Sequence, residues 1–198
     1  MTERTEETMQ FEITFDYLCP FARNASEAVL NGLKDGRSWE VRFRPFSLAQ
    51  AHVPAGGPDV FEDPTASGVR ALQWAIAIRD HQPEFFADAH VALFAARHDH
   101  GLDIKDDAVI REALAPTGVD VDRIARTVES GEPAVTIAAE HVESVDRWQV
   151  FGVPTFIRND VATFIRFMKR GAVDDLERAL ELLDWHEMNE FKRTALPR

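Results

Sequence analysis

The chain has 198 residues and a formal net charge of −12, from 34 acidic and 22 basic side chains. That surplus of negative charge argues against non-specific binding to nucleic acid or to anionic membranes, and no apolar run approaches the roughly 20 residues that a membrane-crossing helix needs. A single cysteine, Cys19, excludes an internal disulfide and any zinc or iron–sulfur centre built on several cysteines of one chain.

With 45% apolar residues and 14 phenylalanines, the chain can bury an ordinary core, in one domain of fair size or in a small domain carrying an insertion. Residues 1–8 are polar and acidic. They read as a frayed tail and lack the basic and apolar regions of a signal peptide, so a cytoplasmic location is expected. Residues 9–16 alternate, with Met9, Phe11, Ile13 and Phe15 on one face, which predicts a strand. Residues 20–34 read as a helix, with Gly32 weakening its end. Residues 38–44 alternate again, a second strand stopped by Pro45. A connection long enough for a helical crossover joins parallel strands, so the first unit is β-α-β.

Residues 51–68 hold Pro54, Gly56, Gly57, Pro58, Pro64 and Gly68 and read as a loop and a boundary. No convincing period-2 stretch follows until residue 149. Residues 69–80, 84–98, 107–115, 120–129 and 133–148 read as amphipathic helices, separated by Pro83, Gly101, Pro116-Thr117-Gly118 and Gly131. Asp107 and Asp120 are N-terminal signals, and Gly101 is a C-terminal one. Strand signals return at residues 152–157. A turn at Asn159-Asp160 leads to a second run at 162–167, which predicts a β-hairpin. Residues 174–187 form a last helix with Leu176, Leu180 and Leu183 on one face.

Cys19 sits where the first strand gives way to the first helix. The free N–H groups and the positive end of the helix dipole are expected to lower its pKa and to favour a thiolate. Pro20 occupies the helical position that loses nothing by lacking an N–H. Phe21 lies between Cys19 and Ala22 and reads equally as packing or as substrate contact. Asp16 precedes the thiol, where it either raises the thiol pKa as a like charge or caps the helix. Arg23, in the first turn, either stabilises the thiolate or points to solvent, and solvent is the expectation. His98, Asp99, His100 and Asp103 have metal-ligand side chains, but they fall at a helix end where the dipole favours histidine, and no metal site is expected. Glu140 and His141 read as a solvated helix face, and Trp74, Phe85, Phe86 and Phe94 as core. No phosphate-binding loop, dinucleotide fingerprint or nucleophile-elbow motif is present.

The segment Asp16-Tyr17-Leu18-Cys19-Pro20-Phe21, followed after the helical block by Phe151-Gly152-Val153-Pro154-Thr155-Phe156, resembles the DsbA-like branch of the thioredoxin superfamily. The ending Glu190-Phe191-Lys192-Arg193-Thr194 is similar to that of actinobacterial DsbA-like proteins, among them the mycothiol-dependent nitroreductase. The resemblance implies an α/β, thioredoxin-like fold of order β-α-β … β-β-α with an inserted all-helical domain. Residues 9–60 and 150–190 would form the two thioredoxin-like parts and 61–149 the insertion, with 1–8 and 191–198 as tails. It further implies a cis Val153–Pro154 peptide beside Cys19 as nucleophile, with Val153, Pro154, Thr155 and Phe21 contacting substrate.

The family's redox motif has a second cysteine where this chain has Ala22. A dithiol enzyme clears its mixed disulfide through that second thiolate, which Ala22 cannot supply. Three readings follow. Cys19 works as a monothiol, its mixed disulfide with a thiol or disulfide substrate resolved by an external low-molecular-weight thiol, mycothiol or glutathione. Alternatively, the site holds a thiol cofactor without redox turnover, as in the related kappa-class glutathione transferases and hydroxychromene carboxylate isomerases. Or the chain is a redox-inactive binding module with Cys19 as a buried small hydrophobe. No tightly bound cofactor is expected, and the chain is expected to be a monomer or a homodimer.

Overall fold

The computed structural model describes residues 8–54, 56–61, 63, 65–66, 68–185 and 187. Strand β1 (Met9–Phe15), helix α1 (Pro20–Lys34) and strand β2 (Trp39–Pro45) come first. The helices α2 (Leu48–Ala51), α3 (Val69–His81), α4 (Phe86–His98), α5 (Asp107–Leu114), α6 (Val121–Glu129) and α7 (Glu132–Trp148) follow. Strands β3 (Thr155–Arg158) and β4 (Val161–Phe164) and helix α8 (Val173–Leu183) complete the order. The ending at residues 190–194 lies outside the described residues.

The four strands form one sheet in the order β2-β1-β3-β4. Strands β1 and β2 are parallel, with Phe11 opposite Val41 and Phe15 opposite Pro45. Pro45 is thus the last residue of β2 rather than the first beyond it, a position open to proline because β2 is an edge strand. Strand β3 is antiparallel to both β1 and β4. Asn159 and Asp160 turn the hairpin with φ of 49° and 63°, the left-handed pair that a type I′ loop requires and that Asn and Asp tolerate best among residues other than glycine. Strand β3 begins at Thr155, because the preceding Gly152-Val153-Pro154 segment leaves the ladder and Pro154 has no N–H to give it. Helix α8 ends at Leu183, short of the expected Glu187.

Phe11, Ile13 and Phe15 of β1 are buried, as the alternation predicts. Among the helices the amphipathic reading is too weak for α3. Its residues Val69 and Ala71 to Ile78 are all buried, because α4, α6 and α7 pack around it. Trp74, Phe86 and Phe94 are core, with Phe85 half-buried against them. The loop after β2 also folds inward: Phe61 is buried, and its carbonyl accepts Nε2–H of Gln73.

The solvated face expected at Glu140 and His141 does not exist. Helix α7 packs on α3 and β2, and both side chains are buried. Glu140 accepts from Arg79 at 2.9 and 3.1 Å and from Arg42 at 2.9 Å. His141 Nδ1 accepts the Ser47 N–H at 3.2 Å, and the ring lies on Phe46 with centroids 4.3 Å apart. Pairing satisfies these polar groups, so their burial leaves no trace in hydrophobic periodicity.

Gly32 has a packing role that its helix propensity conceals. A β-carbon there would stand 2.1 Å from Cζ3 of Trp39 and 2.6 Å from Cη2. The Trp39 ring also packs edge-on against Phe11, with centroids 6.0 Å apart. Replacing glycine by alanine inside a helix ordinarily stabilises by about 1 kcal/mol. Gly32→Ala is expected instead to destabilise the chain by about 1–2 kcal/mol through displacement of Trp39. Urea unfolding should show that loss, and it should shrink when Trp39 is also replaced by Ala. A stabilised Gly32→Ala would show that the indole moves without cost.

Candidate active site

Cys19 is the N-terminal cap of α1. Its backbone is extended (φ −95°, ψ 115°), and Pro20 opens the helix. The Sγ accepts the Ala22 N–H at 3.4 Å, and its S–H donates to the Val153 carbonyl at 3.3 Å. Those two residues are 134 positions apart in the chain, so the fold brings the Cys-Pro and Gly-Val-Pro-Thr segments together. The Val153–Pro154 peptide bond is cis.

The surrounding bonds hold each half of the site. The buried Asp16 carboxylate accepts from the Leu18 N–H and from the Leu48 N–H, both at 2.8 Å. It therefore caps the first turn of α2 and fixes the loop that carries Cys19, while Cys19 itself caps α1. His98 Nε2–H donates to the Tyr17 carbonyl at 2.8 Å. On the opposite side, the Thr155 N–H donates to Thr14 Oγ1 at 2.9 Å, and the Thr155 hydroxyl donates to the Gly152 carbonyl at 2.7 Å. Thr155 is buried; its side chain braces the cis-proline loop. The Ile165 N–H reaches the Pro154 carbonyl at 3.2 Å and ties the end of the hairpin to the same loop.

Behind Cys19 lies a buried polar chain. The Tyr17 hydroxyl is hydrogen-bonded to His90 Nδ1 at 2.7 Å, and His90 Nε2 is hydrogen-bonded to Ser26 Oγ at 3.1 Å. The imidazole is enclosed by Phe15, Phe43, Phe86 and Phe94. Desolvation there pushes the His90 pKa down to about 3 and that of Tyr17 well up, so both stay neutral.

The thiol differs from the helix-dipole expectation. Cys19 is only 8% exposed, and burial, the largest effect, pushes its pKa above the ordinary thiol value. The N–H groups of Ala22 and Phe21 act in the lowering direction, the like charge of Asp16 raises it further, and Arg166 lowers it. A helix N-terminus lowers a thiol pKa most effectively where solvent also reaches the anion, and here the Val153 loop covers it. Asp16, itself fully buried, is pushed up to about 6 by desolvation against the pull of its two N–H donors.

Arg23 does not point to solvent. It is buried and bonded to Glu27 at 3.2 Å and to Asp99. Arg170 pairs with the same two acids. This closed square joins the start of α1, the end of α4 and the segment before α8. With Asp99 held by two arginines and His98 spent on Tyr17, the histidine cluster has no metal-binding geometry, and no group of potential metal ligands assembles among the described residues. A cleft of about 360 Å³ opens beside Leu18, lined also by Arg97, Asp103 and Lys105. Phe21, two residues after Cys19, is half-buried beneath Arg166, whose guanidinium lies 5.5 Å from the ring centroid. Sequence reasoning missed Arg166 and His90. Arg166 stands two residues after Phe164, the spacing that repeats one face of a strand, whereas nothing in the local pattern marks His90.

A family model described as the DSBA-like thioredoxin domain matches residues 10–181. The chain belongs to this family. Among solved structures it is similar to a cytosolic disulfide reductase, DsbM, from Pseudomonas aeruginosa, solved with glutathione. The two share 19% identity with a TM-score of 0.63, over 87% of this chain and 98% of that one. It is equally similar in fold to 2-hydroxychromene-2-carboxylate isomerase, at 18% identity and a TM-score of 0.63 over 88% and 96%. The thiol-disulfide exchange protein alpha-DsbA2 from Wolbachia pipientis matches at 17% identity and a TM-score of 0.60 over 91% and 84%. No curated protein matches the chain. The α/β, thioredoxin-like fold with its helical insertion is therefore the family's own. No helix among the described residues is long and apolar enough to cross a membrane.

The buried histidines give the fold a defined response to acid. The folded pKa values of His90 (about 3) and His141 (about 4) lie below the ordinary 6.5. As pH falls below 6.5 the unfolded chain takes up protons that the folded chain refuses, so their contribution is complete above pH 6.5 and is lost toward pH 4. Asp16 acts oppositely: its folded pKa is raised from 3.8 to about 6, so its own contribution grows on acidification through that window. Two histidines against one carboxyl predict a net loss of stability between pH 6.5 and 4 in urea titrations. His90→Phe should flatten that slope while costing about 1–3 kcal/mol at pH 7 through the buried Tyr17 hydroxyl left without its hydrogen-bond partner. An unchanged slope in His90→Phe would show that His90 titrates normally.

Proposed function

We propose that this chain is a thiol-disulfide oxidoreductase of the DsbA type that works through Cys19 alone. The observation that carries the reading is the placement of Sγ between the N-terminus of α1 and the Val153-Pro154 loop, with Ala22 where a resolving thiol would stand. The Cys19 proton leaves to solvent, and the thiolate attacks one sulfur of a disulfide. The new bond is Cys19–S–S–R, and the departing half leaves as a thiolate. An external thiolate then attacks R's sulfur, forms R–S–S–R′ and returns Cys19 as the thiolate. No oxidant or reductant beyond the disulfide and the external thiol enters the balance. That external thiol is a low-molecular-weight carrier of the glutathione or mycothiol class, and the cytoplasm, where such thiols are abundant, is the compartment that suits it. Substrate would meet Phe21 and the main chain of Val153 and Pro154. Thr155 serves as support.

The covered, protonated thiol favours one second reading. A site that binds a cofactor thiol for isomerase or transferase chemistry has less need of a resting thiolate, and the likeness to 2-hydroxychromene-2-carboxylate isomerase is as close as that to the disulfide reductase. It predicts saturable binding of glutathione or mycothiol with no disulfide turnover.

Alkylation with iodoacetamide across pH should give Cys19 an apparent pKa above the ordinary value of about 8.5, following burial. Incubation with oxidised glutathione at pH 8–9 should add one glutathione per chain by intact mass. That adduct should be absent in Cys19→Ser and reversed by excess thiol. No adduct at pH 9 sinks the monothiol reading. In Ala22→Cys, mild oxidant should close an intrachain disulfide and remove two hydrogens from the mass. Two thiols persisting there under oxidant would mean that residues 19 and 22 lack the geometry assigned to them.

A further inference from the structure

The side of Cys19 facing the hairpin carries an aromatic platform with one cation on it. Arg166 is exposed. Its guanidinium stands 5.5 Å from the Phe21 ring centroid and 5.9 Å from that of Phe164. Phe164 in turn lies against Gly152, where a β-carbon would be only 3.4 Å from its ring, and against Phe151, with centroids 5.0 Å apart. Phe151 is 73% exposed, a large apolar side chain left open beside the cis-proline loop. Most arginines of this acidic chain are committed to carboxylates, among them Arg23, Arg44, Arg70, Arg79 and Arg170. Arg166 has no ion-pair partner among the described residues. Two rings hold its guanidinium in place, and its donor edges remain unused among the described residues. The Ile165–Pro154 hydrogen bond fixes the backbone beside it to the loop that faces Sγ.

We propose that Arg166, held over Phe21 and Phe164, is the specificity-determining residue of this site and binds a carboxylate on the disulfide or thiol that reaches Cys19, while Phe151 and Phe164 cover its apolar part. A guanidinium stacked on aromatic rings keeps its planar edge free for bidentate carboxylate recognition. The inference rests on the monothiol reading and narrows it: glutathione carries free carboxylates and mycothiol carries none, so the preferred carrier is of the glutathione class.

The test uses the reduced full-length chain and two chromogenic disulfides. One is 5,5′-dithiobis(2-nitrobenzoate), which bears carboxylates, and the other is 4,4′-dithiodipyridine, which is uncharged at pH 8. Arg166 also acts on the acidity of Cys19, but that influence alters both rates alike, so their ratio isolates the carboxylate contact. Arg166→Gln should slow the carboxylate reagent about fivefold relative to the uncharged one, in line with an exposed charge-assisted contact. Arg166→Lys should recover part of that loss. Added salt should slow the carboxylate reagent with wild type and have little effect with Arg166→Gln. Equal slowing of both reagents, or no change in either, overturns the assignment while leaving Cys19 reactive. A wild-type chain that reacts with neither reagent overturns the monothiol reading, and this inference with it.

Discussion

One buried carboxylate organises this molecule. Asp16 directly follows β1, accepts the N–H of Leu18 in the turn that carries Cys19, and accepts the N–H of Leu48 at the first turn of α2. It therefore locks together the two connections that leave the same end of the parallel pair β1 and β2. Placing a carboxylate where no water reaches it is unfavourable, and the rise of its pKa to about 6 reports that cost. The two N–H groups offset part of it. In return, the thiol loop and the start of the helical block cannot move independently. Gly68 has φ of 81° and crowds this carboxylate so closely that a β-carbon there would stand 3.0 Å from Asp16 Oδ1. The entry to α3 is thus fitted to the same group.

The site built on that anchor is a balance of opposed influences on one sulfur. Helix N–H groups and a nearby guanidinium favour the anion; burial, the largest effect, and the Asp16 charge oppose it. Burial prevails because the Val153 carbonyl takes the S–H and the cis-proline loop covers the sulfur. This resting state differs from that of an exposed low-pKa thiolate. A thiol of higher pKa is a stronger nucleophile once ionised but is ionised less often, so the chemistry depends on what a bound partner does to the Val153 contact. Without a second cysteine, no intrachain disulfide competes for Cys19.

Much of this was legible in the sequence. The alternation of β1 and β2, the crossover length, the Asn159-Asp160 turn and the Cys-Pro junction each follow from local rules, and the structure holds all four. The failures share one cause. Arg23, Glu140 and His141 are polar residues at helix positions that local pattern assigns to solvent. Each is buried because a partner from a distant segment satisfies it: Asp99 for Arg23, Arg79 for Glu140, the Ser47 N–H for His141. Hydrophobic periodicity registers apolar burial and is blind to compensated polar burial. Gly32 misled in the same way, since its effect lies in Trp39 across the crossover rather than in its own helix.

By itself, the sequence determined the elements, their order, the parallel first pair and the lone thiol at a helix start, because these depend on near neighbours and on residue types. It also determined that no dithiol switch can operate, because that is a matter of composition. Only the tertiary structure decided the state of Cys19. Whether a helix end yields a thiolate depends on what covers the sulfur, and the cover comes from residues 134 positions away. The same holds for Arg166, an ordinary surface arginine in the sequence, whose place over Phe21 exists only once the hairpin folds back onto the first helix.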